Sequence, residues 1–111
     1  MTLTLSKNLE RYFAAQNAHD AEAMVTCFAL DAEVRDEGHE YAGREEILQW
    51  KKDTIAKYGI SIEPLSLTDE GDTTRVVARV AGNFPGSPAE LSYDFRLGDD
   101  GLIEALRIHS L

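Results

Sequence analysis

Residues 32–38 read Ala-Glu-Val-Arg-Asp-Glu-Gly and separate a helical first third from a strand-rich second half. Alternation along an extended chain sends Ala32, Val34 and Asp36 to one face. Two of these are apolar, so that face is the inner one, and Asp36 points a carboxylate inward at its end. A carboxylate withdrawn from water needs a partner or holds its proton more tightly. Asp36 is therefore the first candidate for chemistry.

Before this strand, Leu5, Leu9, Tyr12, Phe13 and Gln16 recur at helical spacing, the first four as an apolar stripe. Thr4 or Ser6 can cap this helix, which should stop near Asn17-Ala18-His19. Asp20 is an N-cap for a short second helix with Glu22 in its first turn. Its expected buried side is Ala23, Met24, Cys27 and Phe28.

After the strand, Gly38 makes a break, and His39-Glu40-Tyr41-Ala42 is a short returning partner. Gly43 opens a third helix running from Arg44 to Tyr58. Glu45 and Glu46 stand in its first turn and Lys57 near its end, as the helix dipole prefers. Ile47, Trp50 (or the stem of Lys51), Thr54, Ile55 and Tyr58 mark its packed face, and Gly59 suits a left-handed cap.

From Ile60 the period becomes two. Ile60 and Ile62 share one parity and Leu65 and Leu67 the other, so a bulge or bend belongs at Glu63-Pro64, where proline cannot donate to a ladder. Asp69-Glu70-Gly71-Asp72 is a turn. Thr74, Val76, Ala78 and Val80 alternate inward. Residues 83–88 form a loop that carries the apolar Phe84. Leu91, Tyr93, Phe95 and Leu97 alternate against Ser92, Asp94 and Arg96, and Gly98-Asp99-Asp100-Gly101 is a hairpin turn. Leu102 to His109 is the last strand, with Leu106 and Ile108 on one side and Arg107 and His109 on the other.

Helices first and consecutive antiparallel strands afterwards signal an α+β fold rather than βαβ winding. The expected architecture is a cone-shaped roll. Three N-terminal helices pack on a strongly curved, mostly antiparallel sheet, and the mouth of the cone is a pocket. With 111 residues the chain is expected to be one domain, 1–111. Eleven Lys+Arg against 20 Asp+Glu give a net charge of -9, and no basic run exists. That balance argues against nucleic acid and anionic membrane surfaces as partners. A single cysteine, Cys27, permits no intrachain disulfide; in an apolar helical run it reads as a small core residue. Met1-Thr2-Leu3-Thr4 lacks the features of a signal peptide, so a cytoplasmic location is expected. No His/Cys/Asp cluster has metal-ligand spacing, so no metal is expected.

The segments RYFAAQNAHD (11–20), FALDAEVRDEG (28–38), GREEILQW (43–50) and YDFRLGDDG (93–101) give the chain a resemblance to the nuclear transport factor 2-like superfamily. Within it, the chain resembles the branch of ketosteroid isomerase and the SnoaL-like polyketide cyclases. The resemblance implies that Tyr12 matches the isomerase tyrosine that donates to a developing oxyanion, and that Asp36 matches the aspartate general base. The third isomerase group, a protonated aspartate, falls on Tyr93, a departure from the pattern. It further implies a homodimer paired through the outer sheet face, where Val77, Ala81 and Ile103 are the expected exposed positions.

Two readings follow. In the first, the chain is a cofactor-independent isomerase- or cyclase-like enzyme acting on a small apolar or carbonyl-containing molecule. Asp36 takes a proton next to a carbonyl while Tyr12 and Tyr93 stabilise the enolate oxygen. In the second, it is a non-catalytic ligand-binding or dimerisation domain, Asp36 being a satisfied carboxylate and both tyrosines wall residues. Trp50 and Phe84 are core and rim residues, or ligand contacts if the pocket opens beside them. His39 is a loop histidine or an acid-base group at the mouth. Arg107 and His109 can bind an anionic group; pairing of Arg107 with Asp36 or Glu104 is the favoured alternative.

Overall fold

The computed structural model describes residues 5–111. Thr4, one of two expected caps, lies outside them. The other, Ser6, accepts a hydrogen bond from the Leu9 amide at 3.2 Å and starts α1, Lys7–Asn17. Leu9, Tyr12, Phe13 and Gln16 are its buried residues, as the spacing predicts. His19 turns the chain at a φ of 56°, and Asp20 caps the five-residue α2, Ala21–Val25, by accepting from the Ala23 amide.

The strand β1 spans Phe28–Asp36 and therefore begins earlier than its sequence signal. Phe28 is its first residue and Cys27 lies in the turn before it, so neither belongs to α2. Both are buried all the same. The turn at Glu37-Gly38 leads into β2, His39–Ala42, which pairs antiparallel with β1. α3 then runs Gly43–Tyr58. Its N-terminus has no side-chain cap from Ala42; instead Glu46 reaches back to the Ala42 amide at 2.9 Å. Arg44 donates to the Phe28 carbonyl through two nitrogens, at 2.9 and 2.7 Å, fixing α3 to the start of β1. Gly59 ends α3 in the left-handed conformation.

The remaining strands are β3 (Ser61–Asp69), β4 (Thr74–Ala81), β5 (Ala89–Leu97) and β6 (Ile103–Ser110). They complete a six-stranded sheet of order β2-β1-β6-β5-β4-β3. Every pairing is antiparallel except β1 with β6. The α+β class is as the sequence reads, with three helices packed on the sheet and one buried apolar cluster between them.

Register explains which side chains enter that cluster. In β3 the pairing slips between Pro64 and Ser66, so Ile62 faces Val80 and Leu67 faces Val76, all on the inner side. This is the expected bulge. A second slip was not legible. Arg96 faces Ala105 but Leu97 faces Ile103, which leaves Glu104 as an extra residue in β6. One extra residue reverses which face each side chain takes. Ile103, expected on the outer face, is consequently fully buried, and Val77 and Ala81 are left as the half-buried positions outside.

Two contacts set the helices over the open end of the sheet. Asn17 donates to the Ile62 carbonyl at 3.0 Å and accepts from the Ile62 amide at 2.7 Å, joining the end of α1 to β3. The Asn83 amide donates to the Tyr58 carbonyl at 2.8 Å, joining the end of α3 to the β4–β5 loop. Gly82 makes this approach possible, because a Cβ there would lie 2.8 Å from that same Tyr58 oxygen. Among the described residues no helix is long and apolar enough to cross a membrane.

Candidate functional site

The end of β1 delivers Asp36 to the inner face, beside α3 and the far ends of β5 and β6. A cavity of about 560 Å³ opens there. Its wall includes Asp36, Tyr93, Lys51, Gln16, Trp50 and Phe84, with His39 at the rim. Leu91, Val80 and Ile108 supply apolar surface from three adjacent strands. A second hollow of about 450 Å³ shares Asp36, His39 and Trp50, so the carboxylate stands where the two meet. Tyr41 stacks on Trp50 with ring centres 5.1 Å apart and forms the wall of this second hollow.

Burial raises the proton affinity of Asp36, and the adjacent Glu37 charge raises it further. The Lys51 ammonium, the Trp50 indole N–H and His39 offset part of that rise. A carboxylate shifted in this direction is a better base near neutral pH than a free one. Burial also holds the Tyr93 phenol far above its ordinary range, with the Asp36 charge acting the same way. Tyr93 is thus a hydrogen-bond donor throughout the physiological range.

Tyr12 is placed differently from its expected role. It is fully buried, with its ring edge-on to Phe13, Phe28 and Phe95 at 5.3, 5.7 and 5.8 Å. Its hydroxyl does not line the cavity; the Lys51 ammonium donates to it at 2.6 Å. The structure therefore brings Asp36 and Tyr93 to one space, with Tyr12 one hydrogen bond behind it.

Lys51 is the residue whose polar end sequence reasoning missed. Its side chain is 4% exposed, and its Nζ also donates to Gln16 Oε1 at 3.1 Å. It lies 4.1 Å from the Trp50 ring centre and 4.8 Å from that of Tyr12. Burial lowers its pKa from 10.5 to about 7, against a raising effect from Asp36. A signal for it existed. Gln16 sits on the apolar stripe of α1 and Lys51 on that of α3, and two polar ends on facing stripes can satisfy each other.

Arg107 and His109 are not brought to this cavity. They stand on the outer face, opposite Asp94 and Ser92 respectively across the β5–β6 pairing. His109 Nε2 lies 2.8 Å from Asp94 Oδ2, while Ser92 donates to Asp94 at 2.7 Å and Arg75 at 3.2 Å. Burial alone would raise the Asp94 pKa, but these three contacts outweigh it and hold it below the usual carboxylate range. Arg107 does not pair with Asp36, which points to the opposite face, and Glu104 pairs with Arg96 at 3.5 Å. Arg107 instead helps line an open groove of about 950 Å³ on the outer side, along with Arg35, Arg75 and Arg96.

Comparison with known proteins bears on the family and the fold. The family model for the SnoaL-like domain matches residues 9–104. No curated protein matches the chain. A protein from Sinorhizobium meliloti provisionally assigned as a polyketide cyclase is 39% identical over 95% of both chains, with a TM-score of 0.89. A protein of Catenulispora acidiphila with a ketosteroid isomerase-like fold, crystallised with trimethylamine, is 24% identical. That match covers 97% of this chain and 88% of the other, with a TM-score of 0.83. A SnoaL-like protein of unknown function from Burkholderia thailandensis is 16% identical over 97% and 99% of the two chains, with a TM-score of 0.80. The last two likenesses concern the fold alone.

Proposed function

The chain belongs to the SnoaL-like domain family of the nuclear transport factor 2-like superfamily, and from that premise we propose that it is an enzyme of proton transfer next to a carbonyl. The substrate class is a small, mostly apolar carbonyl compound held in the inner cavity. Asp36 is the general base. Tyr93 donates to the carbonyl oxygen as negative charge develops there, and the amine of Lys51, with Tyr12 behind it, provides the second polar contact. No cofactor enters this scheme.

One observation carries the reading. Asp36, with its proton affinity raised by burial, shares a cavity with a phenol that stays protonated and with a nearly buried lysine. Perturbed titratable groups that converge on one hollow favour chemistry over packing. The 39% identical relative is provisionally assigned as a polyketide cyclase, which supports an enzymatic reading over a purely structural one. A homodimer paired through the outer face, around Val77 and Ala81, is part of the same proposal.

The test is deuterium exchange next to the carbonyl on a panel of simple ketones and enones, with wild type against Asp36→Asn. Exchange by wild type that falls to the solvent rate in the variant supports the proposal. Exchange at the solvent rate by both proteins across the panel removes it. A specific observation favours a second reading, a binding domain without turnover. The Tyr12 hydroxyl is engaged inside the protein, so only one of the two phenols reaches the cavity. Saturable binding of panel members with no exchange would establish that reading instead.

A further inference from the structure

The second hollow beside Asp36 has no part in the chemistry described so far. It runs along one side of α3, where Gln49, Trp50, Asp53, Thr54 and Lys57 recur at helical spacing, and Tyr41 walls it from β2. From Gln49 to Lys57 the helix rises about 12 Å, enough for an aromatic ring and a short linker. Asp36, His39, Trp50, Thr54 and Tyr58 line both this groove and the inner cavity, so the two spaces adjoin at the candidate base.

The two spaces differ in character. Val80, Leu91 and Ile108 belong to the inner cavity alone and make it apolar. The groove has aromatic faces and polar edges instead. Tyr41 and Trp50 stack with an interplanar angle of 19° and present a flat wall. Gln49 Nε2 donates to Asp53 Oδ1 at 2.9 Å, which orients both side chains along α3. Among the described residues no protein group donates to Gln49 Oε1 or Asp53 Oδ2, so the groove offers two acceptors. Lys57, the cation of this groove, is drawn over the Tyr58 ring, 5.2 Å from its centre.

Asp36 itself is only half-buried. A ligand confined to the inner cavity leaves the groove, and with it one approach to the carboxylate, open to water. An arm lying in the groove closes that approach, and excluding water strengthens the interactions at the reacting centre.

We propose that the substrate is an internal ketone with two arms, an apolar arm in the inner cavity and a planar, hydroxyl-bearing arm, such as a phenol, in the groove along α3. The carbonyl then lies at the junction, with its neighbouring carbon against Asp36. The flat ring lies along the Tyr41–Trp50 wall, and its hydroxyl donates to Gln49 or Asp53. A methyl ketone fills one space only. This deepens the proton-transfer reading, on which it rests for placing the carbonyl at Asp36, by fixing where that carbonyl stands within the molecule.

The experiment compares 4-phenylbutan-2-one, which has one arm, with 1-(4-hydroxyphenyl)-5-phenylpentan-3-one, which has two. Binding to the wild type is read by the fluorescence of Trp50, the only tryptophan in the chain, and by amide shifts in nuclear magnetic resonance spectra. The two-armed ketone should bind about tenfold or more tighter, because its second ring also leaves water. It should move the amides of Gln49 and Asp53 together with those of Leu91 and Ile108, whereas the one-armed ketone moves only the last two. Gln49→Phe, at an exposed position of α3, puts bulk in the groove and should erase the difference in affinity. Equal affinities in the wild type, or a two-armed ketone that leaves Gln49 and Asp53 unmoved, would overturn the proposal whether or not the variant folds. Deuterium exchange on the same samples separates it from the reading beneath it. Two-armed binding across both spaces without exchange would remove proton transfer and leave the two-armed fit standing. Exchange of both ketones at one rate, with shifts in the inner cavity alone, would do the reverse.

Discussion

The Nζ of Lys51 lies 2.6 Å from the hydroxyl of Tyr12, deep between α3 and α1. These residues are 39 positions apart in the chain. Their contact removes Tyr12 from direct access to the cavity and puts an amine in its place. It also makes the stability of the fold depend on pH.

The folded-state pKa of Lys51, about 7, lies below its ordinary 10.5. Between these values the unfolded chain binds a proton that the native chain does not, so native stability rises with pH across that window. The slope is at most about 1.4 kcal/mol per pH unit from this group. Lys51→Met should lack the rise. Urea unfolding of both proteins at pH 7, 8 and 9 measures it, and parallel stability curves would show that Lys51 keeps an ordinary pKa.

Asp36→Asn should be more stable than wild type at pH 7 and much less active. The raised pKa means that the native carboxyl holds its proton where the unfolded one has lost it. Its stabilising contribution is present at low pH and is lost as pH rises through the folded pKa. An amide removes that loss. Proton transfer should drop by about 10²–10⁴-fold, the usual contribution of a positioned base. Thermal melts and exchange rates on the same samples give both numbers, and a variant less stable at pH 7 contradicts the assignment.

Asp94→Asn tests the outer network with the opposite sign. The Asp94 pKa is lowered, so its contribution is present above the ordinary value of 3.8 and lost as pH falls through the folded pKa. The variant should lose about 1–2 kcal/mol at pH 7, since three contacts to a charged acceptor are weakened. Below pH 4 the difference from wild type should shrink. Chemical denaturation at pH 7 and at pH 3 is the measurement.

Asn17→Ala should destabilise the protein by about 1–3 kcal/mol, because it strips partners from both the amide and the carbonyl of Ile62. Hydrogen exchange should quicken first at the Ile62 amide. Unchanged protection there would mean that water replaces Asn17 without loss.

Tyr93→Phe keeps the ring in place and removes only the hydroxyl. If that hydroxyl meets the developing oxyanion, the exchange rate should fall by about 10²–10³-fold with folding unaffected. A loss of binding with unchanged turnover would make Tyr93 a wall residue.

Much of the fold was legible because its signals are local. The parity of Ala32, Val34 and Asp36 needs only three alternating positions, and the structure buries the two apolar ones and lines the cavity with the third. The caps at Ser6, Asp20 and Gly59 and the bulge after Pro64 follow from single residues with narrow backbone preferences. The burial of Ile103 is not legible along the chain, because the extra residue at Glu104 shows only in the pairing with β5, which is a property of two strands rather than one.

The order of elements, the inner face of the sheet and the inward aim of Asp36 follow from hydrophobic periodicity, which is written along the chain. It took the packed fold to show that Lys51 ends against Tyr12 and Gln16, and that His109, already on the outer side by alternation, meets Asp94 there. Those contacts depend on how α1 and α3 meet and on strand register. Both are set by the packing of distant segments, which no local pattern records.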